Sequence, residues 1–299
     1  MNLDPAHVDE LFRILHQIPR ESREFAVSSA EVQRRFGISE PLLMEMVELG
    51  FPVQARNGDL NFEAADLRNL SFYGRTGINY RTIGRFWPAA LKCVEERSDI
   101  SYELSYLAKC PTPGHDSCRF EVLTPFGDVL GVAAVGPHSG SIYKTEITLS
   151  GDLPELPDEA RSLVDKVASF RLTWLPRSLQ LDTAFMSKTG LASCMGAALI
   201  LVDEGLTRGV EVRSAFGLLA SAPYASIHFW AEIKVGQVWV PVDPLMIGAM
   251  LRWGVLEPRM WSPYSSLGGI LCRFTEDYTP IITHSGEWMR PSFPIRRMV

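Results

Sequence analysis

The chain has 299 residues, enough to bury a sizeable core, and its composition, 46% hydrophobic and 21% charged, excludes a disordered or low-complexity polymer. With 29 Lys and Arg against 35 Asp and Glu the net charge is -6, so no general attraction to phosphate backbones is expected and nucleic acid is not an expected partner. Five cysteines (Cys93, Cys110, Cys118, Cys194, Cys272) are odd in number and scattered, which argues against a disulfide framework. The first hundred residues read as mostly helical. In "DPAHVDELFRILHQI", Val8, Leu11, Ile14 and Leu15 share one stripe, with Asp4 as N-cap and Pro5 at the first helical position. Next come a helix, a turn at Phe36-Gly37, a second helix and a small hairpin turning at Asn57-Gly58, a pattern like a winged helix-turn-helix. Its would-be recognition helix carries Glu40, Glu45 and Glu48 and no Lys or Arg, which disfavours phosphate contact.

From about Ile100 to Gly151 the signal is strand, in "RFEVLTPFGDVLGVAAVG" and "SIYKTEITLSG". Residues 157–172, "PDEARSLVDKVASFRL", read as a helix with acidic residues in its first turn. An extended loop then leads into an apolar helix that begins near Ser193 or Cys194 and stops at Gly205 or Gly209, followed by the strand "VEVRSAFGLL". No apolar run is long enough to cross a bilayer and the N-terminus lacks a signal-peptide pattern, so no membrane association and a cytoplasmic location are expected. The basic tail "MRPSFPIRRMV" reads as a solvated end, with docking to an acidic partner such as a carrier protein as the alternative.

"SIHFWAEIKVGQVWVPVDP" carries the chemistry. Alternation puts Ile227, Phe229, Ala231, Ile233 and Val235 on one face and His228, Trp230, Glu232 and Lys234 on the other. A two-residue turn at Gly236-Gln237 makes paired residues sum to 473, so Asp243 shares the face of His228 as its diagonal neighbour. A carboxylate beside an imidazole fixes the ring tautomer so that the other nitrogen trades protons with a nucleophile. Cys194 is the candidate nucleophile, because a helix start favours the thiolate. Taken singly, a strand histidine is a satisfied core residue and a helix cysteine is filler; together the three have little reason to arise from packing alone.

The segment from "GLASCMGAALILVDEGL" to "HFWAEIKVGQVWVPVDP" resembles the core of the transglutaminase-like superfamily, best over residues 185–245 and more loosely over 155–285. The sequence departs from that pattern in having Ala192 where glycine is usual and Phe229 where a small residue is usual. The resemblance implies an α+β fold, with a papain/transglutaminase-like core, a helix packed on an antiparallel sheet, in a domain taken as residues 101–299; it does not reach residues 1–100, which the pattern above makes a mostly helical, winged-helix-like region. It implies Cys194 as nucleophile, His228 as general base and acid, and Asp243 as the residue orienting it. Gln180 and Trp174 are candidate oxyanion donors, and Trp230, Phe229 and Trp239 candidate substrate contacts. Trp253 and Trp261 could also border an acyl channel, with core packing the alternative for each tryptophan.

The activity implied is amide formation by acyl transfer, with an acyl donor (a carrier-protein thioester in some bacterial antibiotic pathways, such as that of andrimid) and an amine acceptor, and no cofactor. The alternatives are a cysteine peptidase or amidase with the same residues, and a non-catalytic binding or regulatory protein. No metal site is expected. "CPTPGHDSC" offers Cys110, His115 and Cys118, with Cys93 as a fourth, for zinc, but the spacing matches no familiar finger and the stretch equally reads as a Pro-Gly turn. His7, His16, His138 and His284 are read as surface residues.

Overall fold

A computed structural model describes residues 5–298, apart from 57, 78–81, 97, 113, 115 and 136–138. Asp4, Asn57, His115 and His138 therefore lie outside the described residues. The chain is a mixed α+β protein whose larger sheets are antiparallel. It divides into two compact units, one of Met1–Pro88, Val167–Ala197 and Leu245–Glu257, the other of Ala89–Lys166, Ala198–Pro244 and Pro258–Val299. Among the described residues no helix is long and apolar enough to cross a membrane.

In the first unit, α1 (Pro5–Leu15) buries Leu11, Ile14 and Leu15 of the expected stripe and leaves Val8 half-buried. Strand β1 (Phe25–Ser28) leads into α2 (Ser29–Phe36), which Ser28 and Glu31 open with a reciprocal capping box. Gly37 stops α2 in the left-handed region at φ 69°, where a side chain would be strained. After α3 (Glu40–Glu48), strands β2 (Gln54–Arg56) and β3 (Asp59–Glu63) form a hairpin, and the sheet order is β1-β3-β2. The three helices followed by a hairpin are the order expected of the N-terminal region, while strand β1 was not anticipated. Glu40, Glu45 and Glu48 of α3 are exposed.

Helix α4 (Ala64–Tyr73) is buried along most of its length and carries Asp66, whose carboxylate accepts from Arg23 Nε at 2.7 Å with both side chains shielded from solvent. Burial outweighs the guanidinium and pushes the Asp66 carboxyl up to about 6. The native state therefore holds this proton where the unfolded chain, near 3.8, has released it. Its stabilising contribution is full below pH 3.8 and is lost as the pH rises through about 6. Asp66→Asn removes the titration, so unfolding free energies from urea titrations should move in favour of the variant, relative to wild type, by about 2 kcal/mol between pH 4 and pH 7. A gap that stays constant, or moves the other way, would contradict this.

The second unit is built on a seven-stranded antiparallel sheet in the order β13-β10-β11-β16-β4-β7, with β12 also pairing with β11. Its strands are β4 (Ile100–Lys109), β7 (Ser139–Leu149), β10 (Val212–Leu219), β11 (Tyr224–Val235), β12 (Val238–Val242), β13 (Leu271–Thr275) and β16 (Phe293–Arg297). A four-stranded sheet, β15-β14-β5-β6, comprises β5 (Ser117–Leu123), β6 (Val129–Val135), β14 (Ile282–His284) and β15 (Glu287–Trp288). Residues of both sheets share one core, which includes Tyr106, Phe120, Phe216 and Phe274. Helices α5 (Trp87–Val94) and α6 (Asp158–Ala168) complete the elements before residue 170.

Several expectations are corrected. The helix read over 157–172 ends at Ala168, and Arg171–Leu172 form strand β8, paired in parallel with β9 (Leu191–Ala192). The basic tail is no solvated end: Phe293–Arg297 is inserted as β16 between β11 and β4, burying Phe293 and Ile295. Its arginines instead meet Glu103 and Glu96. His284 is buried at 5% exposure, not on the surface, whereas His16 is exposed.

Candidate active site

Strand β11 pairs with β12 through Ala231↔Val242, Glu232↔Pro241, Ile233↔Val240, Lys234↔Trp239 and Val235↔Val238. Every pair sums to 473, the register expected from the Gly236 turn, where φ is 61°. Asp243 follows the last rung just before the chain turns into α9 (Pro244–Arg252), whose first residue, Pro244, belongs to the same unit. His228 Nε2 donates to Asp243 Oδ2 at 2.6 Å, with both side chains buried at 4% and 3% exposure. A short bond between two buried groups fixes the imidazole's orientation.

The neighbours hold that geometry. The Trp230 ring lies nearly parallel to His228, 6.4 Å between centroids and 16° between planes. Across the sheet, His228 stands opposite Gly217, where a Cβ would lie 2.0 Å from the Cys272 carbonyl oxygen, so only glycine fits. Two residues beyond Trp230, the buried Glu232 carboxylate accepts from Arg213 Nε and Nη2 at 2.8 and 2.6 Å, and Arg273 Nε lies 3.6 Å away. Glu232→Ala leaves Arg213 only the longer contact to Glu276, at 3.6 Å, and removes this carboxylate from Arg273. It is expected to lower stability by about 2–3 kcal/mol, read as a lower urea midpoint at constant slope; a change under about 0.5 kcal/mol would contradict a structural role.

Burial of β11 departs from expectation. The nominally apolar face is the more open at this point, Ile227 being 42% exposed, while His228, Trp230 and Glu232 are buried. Trp230, at 1% exposure, is a core residue, the alternative reading for that tryptophan. Phe229 is half-buried against Phe216 at 4.8 Å, and the Trp239 ring lies under the Arg213 guanidinium at 4.1 Å. Trp261 borders an open cavity of about 280 Å³, with Glu95, Arg161 and Tyr264 among the other lining residues, and donates its indole N–H to Glu95 at 2.8 Å.

Cys194 belongs to the first unit and is half-buried as the first residue of α8 (Cys194–Arg208). Ser193 Oγ caps the helix by accepting from the Gly196 N–H at 3.1 Å. A Cβ at Gly196 would sit 2.1 Å from Met186 Sδ, so this glycine admits α7 (Thr183–Thr189) against the helix start. In the same unit Trp174 is held by the buried Asn69, its N–H donating to Asn69 Oδ1 at 2.9 Å and its carbonyl accepting from Asn69 Nδ2 at 2.8 Å. Its ring meets Phe72 edge-on at 4.8 Å. Gln180 spends its amide N–H on the Leu175 carbonyl at 3.2 Å. Trp253 packs on Phe72 at 4.0 Å.

Of the residues expected to act, His228 and Asp243 are brought together. Gly217, Asn69 and the Arg213–Glu232–Arg273 cluster were not anticipated. Only the glycine inside the strand "SAFGLL" gave a local hint, since an interior strand glycine marks a bulge or close approach, and the register with β13 does shift there. No family model matches the chain, and no curated protein and no solved structure is significantly similar to it.

Proposed function

We propose that this chain is a transglutaminase-like cysteine acyltransferase that forms an amide bond through an acyl thioester on Cys194. The buried His228–Asp243 pair, at 2.6 Å, carries the reading. Because Nε2 is the atom bonded to the carboxylate, Nδ1 is the ring nitrogen assigned to exchange the proton with the nucleophile. Cys194 suits that role as the half-buried opening residue of a helix capped by Ser193, which leaves its thiol partly accessible to a substrate. The papain/transglutaminase-like core, with Cys, His and Asp in that chain order, is the finer fold proposed with it.

In this reading the Cys194 sulfur, its proton passed to His228, attacks the carbonyl carbon of an acyl thioester. The carbonyl electron pair moves onto oxygen, for which the Cys194 backbone N–H is the assigned donor. Collapse expels the donor's thiolate, which leaves with the proton from His228. An amine then attacks the Cys194 thioester and gives its proton to His228. The second collapse releases the amide, and the proton returns to the Cys194 sulfur. Donors held as small-molecule or carrier-protein thioesters in biosynthesis are the proposed substrates.

Incubating the pure protein with an acyl N-acetylcysteamine thioester and a primary amine tests the reading. Amide product that requires Cys194 and His228 is expected. Free acid alone would reassign the same residues to a cysteine peptidase or amidase, and no turnover of any thioester or peptide would contradict the proposal.

A further inference from the structure

In the second unit, the three described side chains Cys110, Cys118 and His284, none of them assigned to acyl transfer, converge from three separate strands. Cys110 follows the end of β4, Cys118 lies on β5 and His284 ends β14. Strand alternation turns Cys118 inward with Phe120 and Val122, and pairing of His284 with Phe120 makes the imidazole the diagonal neighbour of Cys118. Both sulfurs and an imidazole nitrogen lie within 4.8 Å of one another, and all three residues are buried. Cys110 Sγ is 3.8 Å from His284 Nε2.

These are the spacings of a tetrahedral metal centre before it closes on an ion. With metal–sulfur bonds of about 2.3 Å and metal–nitrogen bonds of about 2.0–2.1 Å, tetrahedral geometry separates two sulfurs by about 3.8 Å and sulfur from nitrogen by about 3.6 Å. Two thiolates and one imidazole form a soft-to-borderline donor set that selects zinc over calcium or magnesium. Charge favours the same ion: a divalent cation with two thiolates and a neutral imidazole carries no net charge, as a buried position requires.

We propose that Cys110, Cys118 and His284 bind a zinc ion that cross-links the end of β4, in the seven-stranded sheet, to β5 and β14 of the four-stranded sheet. Binding replaces the two S–H bonds with two metal–sulfur bonds and releases two protons to solvent. The fourth coordination position is filled by water. The site shares no residue with the Cys194, His228 and Asp243 assignment and is tested apart from it.

The full-length protein, stripped of metal by a chelator under a phosphine reductant, is titrated with Co²⁺ as a spectroscopic stand-in and then with Zn²⁺. About one Co²⁺ per chain should bind, with thiolate-to-cobalt charge-transfer absorption and the strong visible bands of tetrahedral cobalt. Zn²⁺ should displace it with a dissociation constant below about 1 µM. Cys118→Ser should lose the charge-transfer bands or reduce them by about half. His284→Cys, which swaps one ligand for another, should keep the metal and strengthen those bands, so the assignment does not rest on variants that merely unfold. Cys93→Ser and Cys272→Ser should bind as wild type does. No tetrahedral cobalt spectrum in the reduced wild-type protein would overturn the proposal. So would metal binding unchanged in the folded Cys118→Ser variant.

Discussion

If the proposed acyl transfer is the activity, replacing Cys194 by alanine is expected to reduce amide formation by about 10⁴-fold or more, because it removes the proposed nucleophile and with it the covalent intermediate. Any residual rate would come from binding and from the oxyanion donor alone. The fold should tolerate the change: Cys194 is only half-buried, and the helix is capped by Ser193, not by the thiol. The loss should therefore appear with an unchanged urea midpoint. Cys272→Ala makes the contrast, since burial pushes that thiol up to about 12 and leaves it unreactive near neutral pH. Its activity should be retained in whatever fraction of the protein folds. Full turnover by Cys194→Ala would remove the nucleophile from the account.

The second large effect is at Asp243. Asp243→Ala strips the acceptor from a buried imidazole bonded at 2.6 Å, so the ring loses both its orientation and its fixed tautomer. A fall in kcat/KM of about 10²–10⁴-fold is expected. Asp243→Asn keeps an acceptor oxygen for the Nε2–H, so acyl-enzyme should still form on Cys194 and turnover should be slower than wild type but faster than in the alanine variant. This ranking separates orientation of the ring from a merely structural role, which would be read in stability alone. Equal rates for wild type and Asp243→Ala would sink the assignment.

Local patterns reached the candidate site further than they reached the whole fold. Alternation and the Gly236 turn were enough for the β11–β12 register, because a one-residue slip would have moved every side chain to the other face. The helix start at Cys194 and its end at Arg208, before Gly209, likewise follow from capping and apolar pattern. What failed depended on distant partners. Phe293–Arg297 looks like a basic tail until β11 and β4 offer it two edges, and then its alternating Phe293 and Ile295 become core. His284 sits in a strand of only three residues, so no periodicity marks its inward face; that face is decided by pairing with Phe120, 164 positions earlier in the chain. Burial of the His228 face, and not of the Ile227 face, reflects which surface of β11 the rest of the unit covers, information that alternation alone does not hold.

The most direct test of the central claim is the intact mass of the wild-type protein after exposure to an acyl thioester without amine, followed by peptide mapping. The account predicts a single acyl group on Cys194, discharged when an amine is added. An acyl group found instead on Cys93, the other half-buried thiol, or no covalent adduct with any thioester offered, would contradict it.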